Sequence, residues 1–134
     1  GKIAPDSLTE SPGHIIDFMA TFIDIGQATY PKTRSGESII PLEGKSLLPI
    51  FEGKQRADHD YYAWEWSGNK AYREGDSKVV WDKITSAWEL FDLSTDRTET
   101  NNLAESQPEQ LKKLTDAWYQ WAKRTGAKTT ADKK

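Results

Sequence analysis

Four short runs decide how this chain folds: Asp60-Tyr61-Tyr62-Ala63-Trp64-Glu65-Trp66, Asn69-Lys70-Ala71-Tyr72-Arg73, Ser77-Lys78-Val79-Val80-Trp81 and Ala87-Trp88-Glu89-Leu90-Phe91-Asp92-Leu93. Each is rich in the aromatic and β-branched residues that suit a pleated, half-buried surface. They are separated by Ser67-Gly68, by Glu74-Gly75-Asp76 and by a mostly polar stretch at 82–86. Strand-like runs joined by such short turn segments predict an antiparallel meander of about four strands. Alternation assigns faces: Tyr62, Trp64 and Trp66 share one, Ala71 and Arg73 lie opposite Tyr72, and Trp88, Leu90 and Asp92 lie opposite Phe91 and Leu93. One face of such a sheet needs a cover.

The segment that follows supplies it. Ser106-Gln107-Pro108-Glu109 has the form of a capping box, with proline where no N–H is needed. Beyond it Leu111, Leu114, Trp118 and Trp121 recur at spacings of 3, 4 and 3, while Lys112, Lys113, Asp116, Gln120 and Lys123 line the other side. At ~1.5 Å per residue a helix over 107–125 spans roughly 28 Å, enough to cross four strands at ~4.8 Å spacing. Gly126 ends it, and 127–134 is expected to fray.

Upstream, Ile15, Ile16, Phe18, Met19, Phe22, Ile23 and Ile25 form the densest apolar stretch and predict a mostly buried helix, with Asp17 or Asp24 at its solvent edge and Gly26 as its stop. Residues 27–45 carry Pro31, Gly36, Pro41 and Gly44 among polar residues and read as a long loop. Ser46-Leu47-Leu48-Pro49-Ile50-Phe51 reads as one helical turn capped by Ser46 and closed by Gly53. The expected fold class is therefore α+β: a helix and a long loop, then a four-stranded antiparallel sheet covered by a long C-terminal helix. The expected organisation is a leading segment at 1–53, a sheet-and-helix subdomain at 54–126 and a tail at 127–134.

The composition narrows the functions on offer. In 134 residues there are 18 Lys and Arg against 21 Asp and Glu, a net charge of −3, which leaves no basic stripe for a phosphate backbone. No apolar run approaches the ~20 residues of a bilayer span. Neither nucleic acid nor membrane is an expected partner. With no Cys there is no thiol nucleophile and no thiolate metal site, and two His far apart in sequence leave little material for an imidazole base. The opening residues 1–11 lack the basic and apolar regions of a signal peptide and read as the interior of a longer or processed protein.

Searches for chemistry fail one by one. His14 and His59 read as surface or cap residues. Gly44-Lys45-Ser46 has the end of a phosphate-binding loop, but Ile39 stands where its first glycine is needed. In the acidic stretch from Asp92 to Leu103, the calcium-loop pattern wants glycine at Arg97 and an acid at Leu103, so it is read as a turn whose Asp, Thr and Asn side chains bond nearby backbone. Six Trp remain to be explained: Trp118 and Trp121 are assigned to the helix stripe, Trp64 and Trp88 to the covered sheet, and Trp66 and Trp81 to contact with a partner or substrate.

A longer pattern is more specific than any of these motifs. Trp64-Glu65, Gly68-Asn69, Ala71, Arg73, Gly75 and Lys78-Val79-Val80, then Trp88-Glu89-Leu90-Phe91-Asp92-Leu93, Asp96-Arg97-Thr98-Glu99, Asn101-Asn102-Leu103-Ala104 and Pro108-Glu109 resemble, in order, the C-terminal part of type I sulfatases, the arylsulfatase family. His14-Ile15-Ile16-Asp17-Phe18-Met19-Ala20-Thr21 and Gly44-Lys45-Ser46-Leu47-Leu48-Pro49 resemble two further segments of that family, so the likeness runs from about residue 12 to 125. Two positions depart from it: Trp66 stands where relatives often have His, and Ala20 where they have Pro.

The resemblance implies the C-terminal subdomain of an alkaline-phosphatase-like sulfatase, a hydrolase of sulfate esters. In that family a Cys or Ser in a Cys/Ser-x-Pro-x-Arg motif becomes formylglycine, whose hydrate attacks sulfur beside a calcium ion. Those parts belong to a large N-terminal domain, so no catalytic residue, metal ligand or cofactor is expected in this chain, and the chain alone is expected to be inactive. Ser106-Gln107-Pro108-Glu109-Gln110 lacks the motif's Arg. The implied partners are the catalytic domain of the parent and a sulfated ester or glycan, and the family makes a periplasmic or secreted parent plausible. Trp66, Asn69 and Arg73 are the candidates for the rim of the substrate pocket, because an aromatic suits a ring and amide and guanidinium donors suit an anionic ester. The competing assignment for Arg73 is an ion pair with Glu65 or Glu89. The competing functions are a standalone aromatic sheet that binds glycans, and a purely structural or oligomerisation domain.

Overall fold

A computed structural model describes residue 3 and residues 5–127. Its contacts divide the chain into two compact units, residues 1–59 and 60–134.

The first unit contains helix α1 (Asp17–Ile25), a two-residue hairpin of β1 (Thr33–Arg34) and β2 (Glu37–Ser38), and the single helical turn α2 (Leu48–Phe51). The hairpin interrupts the segment expected to be wholly loop, turning through Ser35 and Gly36 at φ 53° and 85°. Such paired positive φ values are what a tight hairpin needs. At α2 the Ser46 hydroxyl accepts the N–H of Leu48 at 3.1 Å, and Gly53 closes the turn with φ 72° and its N–H on the Ile50 carbonyl.

Helix α1 forms where expected but faces the other way. Its buried residues are Asp17, Ala20 and Thr21, whereas Ile15, Phe18, Met19, Phe22 and Ile25 are exposed. The expectation of a mostly buried helix is thus corrected, and of the two acids offered for its solvent edge Asp24 is exposed and Asp17 is buried. The reason is hydrogen bonding: the Thr21 hydroxyl donates to the Asp17 carbonyl at 2.7 Å and accepts the Leu47 N–H at 2.9 Å, which fastens the polar side of α1 to the chain before α2. Gly44 passes so close that a Cβ there would lie 2.1 Å from the Ile16 carbonyl oxygen.

The second unit holds β3 (Tyr62–Trp66), β4 (Asn69–Glu74), β5 (Ser77–Asp82), β6 (Ala87–Asp92) and α3 (Pro108–Thr125). The strands pair antiparallel in the order β3-β4-β5-β6. Ser67 and Gly68 make the first turn at φ 52° and 89°. Register places Ala63, Tyr72, Val79 and Leu90 on one face, and these pack with Leu114, Trp118 and Ala122 of α3 into the core. Leu111 and Trp121 flank that stripe. The Trp118 indole N–H donates to the Trp64 carbonyl at 2.9 Å and ties α3 to the first strand. At its C-terminus α3 ends on Gly126 at φ 72°, whose N–H bonds the Ala122 carbonyl.

Three local expectations change. The capping box does not form: Gln107 is the N-cap, and the Ser106 hydroxyl donates to the Leu103 carbonyl at 3.1 Å, because the chain enters α3 through a turn that uses it. Trp64 does not belong to the covered face; its ring stacks on Tyr62 with centroids 6.0 Å apart, on the side turned away from α3. Trp81, expected to meet a partner, lies on the α3 side and meets Trp88 edge to face at 5.7 Å. The acidic stretch behaves as the turn expected of it. Asp96 accepts the N–H groups of Thr100 and Asn101, Asp92 accepts that of Ser94, and Asn102 accepts those of Leu90 and Ala104. The expected tail beyond residue 127 lies outside the described residues.

Candidate functional site

The three residues expected at a pocket rim lie on one face of the sheet. Trp66 and Asn69 are directly opposite each other at the end of the β3–β4 hairpin, and Arg73 is four residues further along β4, opposite Tyr62 and Lys78. At ~3.3 Å per strand residue that separates Asn69 from Arg73 by about 13 Å. Alternation puts all three on the side away from α3, with Trp64 and Ala71 paired between them. The structure therefore brings Trp66 and Asn69 together and sets Arg73 at the far end of the same row.

Each is held by its own turn. Asn69 accepts the Lys83 N–H through its side-chain oxygen at 3.1 Å, and Lys83 in turn reaches the Ser67 carbonyl at 3.1 Å. Glu65 accepts the Gly68 N–H at 3.1 Å. Trp66 is 80% exposed, far more than an aromatic kept for packing. Arg73 donates through Nε to the Gly75 carbonyl at 2.7 Å and lies 3.8 Å from Asp76. Its acidic neighbour is therefore Asp76, not Glu65 or Glu89, because the β4–β5 turn folds Asp76 back beside it. Next to it across β5, Lys78 pairs with Glu99 at 2.5 Å. The row thus has a flat aromatic surface at one end and two cation–acid pairs, Arg73–Asp76 and Lys78–Glu99, at the other.

A second cluster, in the first unit, was not foreseen. The Asp17 carboxylate is fully buried. One oxygen accepts the Lys45 N–H at 2.9 Å and meets the His59 imidazole Nε2 at 2.7 Å; the other accepts the His14 N–H at 2.9 Å and an Arg56 guanidinium nitrogen at 3.2 Å. Arg56 also donates to the carbonyls of Pro12 and Lys45. Burial by itself would raise the Asp17 pKa, but the two backbone N–H groups and His59 outweigh it and hold the carboxyl below the usual range. With two partners on each oxygen the carboxylate has its lone-pair sites filled. It is built as a fastening, not as a base or a metal ligand. Of the two His read as surface or cap residues, His14 does cap the entry to α1, its Nδ1 accepting the Ile16 N–H at 3.3 Å, whereas the His59 ring is buried against Asp17.

Lys70 is the third unforeseen group. It is almost fully buried on the α3 side of β4, with its ammonium 4.6 Å from the Trp81 ring centre, 5.2 Å from that of Trp118 and 6.0 Å from that of Tyr119. Burial lowers its pKa, with Glu65 acting in the opposite direction. Alternation carried the signal, since Lys70 falls on the same face as Tyr72. For Asp17 there was none, because three of its four partners lie 28, 39 and 42 residues away. Among the described residues no group of three or more His, Cys, Asp or Glu is placed to hold a metal ion.

No protein-family model matches the chain. It is 30% identical over 136 residues to an uncharacterized sulfatase of Schizosaccharomyces pombe, a match that takes in 97% of this chain and 24% of that protein. A sulfatase of Formosa agariphila is 29% identical over 82% of the chain and 22% of its own length, and arylsulfatase K of Xenopus laevis 27% identical over 84% and 23%. Among solved structures, a Bacteroides thetaiotaomicron protein described as a sulfatase superposes with a TM-score of 0.61 at 21% identity, over 83% of this chain and 25% of that one. A 2-O GAG sulfatase gives 0.59 at 21% identity, over 82% and 24%. These neighbours share the alkaline-phosphatase-like fold. The chain spans about a quarter of the length of the relatives it matches. Across nearly all of its own length, it matches the C-terminal part of sulfatases.

Proposed function

We propose that this chain works as the C-terminal part of a sulfuric ester hydrolase, where it supports the catalytic domain and lends Trp66, Asn69 and Arg73 to the rim of the substrate pocket. The observation that carries this is the exposed Trp66 beside Asn69, in line with Arg73, in a chain that matches a sulfatase over 97% of its own length. In the family, a hydrated formylglycine supplies the nucleophile beside calcium. The residues present here do not fit either part. There is no Cys, the Ser106 hydroxyl is spent on the Leu103 carbonyl, and the carboxylates of Asp92 and Asp96 are engaged by their own turns. No catalytic step therefore runs through this chain, and by itself it turns over no sulfate ester.

What this chain contributes is binding. Trp66 stacks on a ring, Asn69 orients it, and the Arg73 guanidinium, whose acidic neighbour Asp76 is 3.8 Å away, draws an anionic group toward the row. Such contacts act on the substrate in its ground state as well as at the barrier, so their loss shows first in KM. In the full-length enzyme, Trp66→Ala is expected to raise KM about tenfold on a responsive aryl or glycan sulfate with kcat nearly unchanged. Unchanged constants for Trp66→Ala and Arg73→Ala on every ester that the wild type hydrolyses would remove the rim assignment. Saturable glycan binding by the 134-residue chain alone, lost in Trp66→Ala, would favour the standalone module instead.

A further inference from the structure

The exposed side of α1 is made of Ile15 (73% exposed), Phe18 (53%), Met19 (54%), Phe22 (66%) and Ile25 (56%). Their spacing of 3, 1, 3 and 3 is one stripe along the helix and the turn before it. Amphipathic helices ordinarily put such a stripe inside, and here the opposite side is buried. The helix cannot simply roll over. Rolling would break the four contacts to the Asp17 carboxylate and the bonds through Thr21 to Leu47, and it would part Ile16 from the close pass of Gly44. A contiguous apolar patch of this kind marks an interaction surface.

We infer that the apolar stripe of α1 docks onto an apolar surface of the catalytic part of the same, longer sulfatase chain. The occupant follows from lengths: the S. pombe relative matches 97% of this chain with only 24% of its own, so most of such a protein is available to cover the stripe. The inference rests on the sulfatase reading and adds to it the surface that joins the two parts. The polar fastening around Asp17 then has a purpose, since it turns the apolar side of α1 outward and holds it ready. A second copy of this chain is the competing occupant.

Hydrogen exchange on the full-length enzyme and on the 134-residue chain tests this. Amides of 17–25 should exchange at least about tenfold more slowly in the full-length enzyme, where docking adds to local stability. Phe22→Ser should lower the thermal midpoint of the full-length enzyme and leave that of the chain alone unchanged. Equal protection in both, or Phe22→Ser neutral in both, overturns the inference. So does protection of 17–25 that rises with the concentration of the chain alone together with a sedimenting dimer, which assigns the stripe to a second copy. Sulfate release by the same wild-type preparation is measured in parallel. Its absence on all esters would count against the sulfatase reading, while the exchange comparison still reports whether the stripe is covered.

Discussion

The imidazole Nε2 of His59 lies 2.7 Å from Oδ1 of Asp17, a residue 42 positions earlier, and both side chains are buried. This contact, with Arg56 on the other carboxylate oxygen, draws the start of α1 and the chain after α2 into one unit. Its energetic weight comes from burial: removing one partner leaves the others facing an uncompensated polar gap. Asp17→Asn keeps the shape and loses the charge. Breaking a buried ion pair from one side costs about 3–5 kcal/mol, so this variant is expected to abolish exchange protection at the Lys45 and Leu47 amides.

The same group sets an acid limit. The folded pKa of Asp17 is depressed, so its contribution is complete above the ordinary carboxylate value near ~4 and is lost as pH falls through the lower, folded value. Protection of the Lys45 amide should therefore be flat from neutral pH down to about 4 and collapse only below it. Loss already between pH 7 and 5 would contradict this account of the carboxylate.

Gly44→Ala should be harmful for reasons of space alone. The new methyl would meet the Ile16 carbonyl oxygen at 2.1 Å, backbone against backbone, where nothing can swing aside. Overpacking costs of ~1–3 kcal/mol are expected, read as loss of α1 protection. Gly13→Ala is the comparison, since its methyl would meet only a Leu47 methyl at 3.7 Å.

Lys70→Met tests the aromatic box. A lysine whose folded pKa is lowered makes the folded state less favourable while charged, so stability should rise with pH once the folded value is passed and until the unfolded value near ~10.4. Tyr72, whose pKa burial raises, works the other way only at the top of that window. Denaturant midpoints by tryptophan fluorescence should climb in the wild type as pH is raised toward the unfolded lysine value and stay flat in Lys70→Met, with the variant within about 1.5 kcal/mol of wild type at pH 7. The same slope in both would show that Lys70 does not cause it.

The sheet was readable because its information is local. The runs at 60–66, 69–73, 77–81 and 87–93 differ from the observed strands by no more than two residues at either end, and Gly68 takes the positive φ that glycine favours in a tight turn. Alternation also placed Trp66 with Trp64, and Arg73 opposite Tyr72. It could not say which face α3 would cover, and so Trp64 and Trp81 were exchanged. Capping at Ser106 failed because hydroxyl bonding depends on how the chain enters the helix. The orientation of α1 was illegible for a deeper reason. Its apolar stripe stays exposed, while its buried side is chosen by hydrogen bonds to residues 26–42 positions away. The three rim candidates share one face, and their spacing along β4 follows from register and not from composition.

The central claim, that this chain serves a sulfuric ester hydrolase without carrying its chemistry, is tested most directly by sulfate release. The full-length enzyme and the 134-residue chain are assayed side by side on a panel of aryl and glycan sulfates. The full-length enzyme should release sulfate from at least one of them and the chain alone from none. Release by the chain alone, or no release by a folded full-length enzyme on the whole panel, would contradict it.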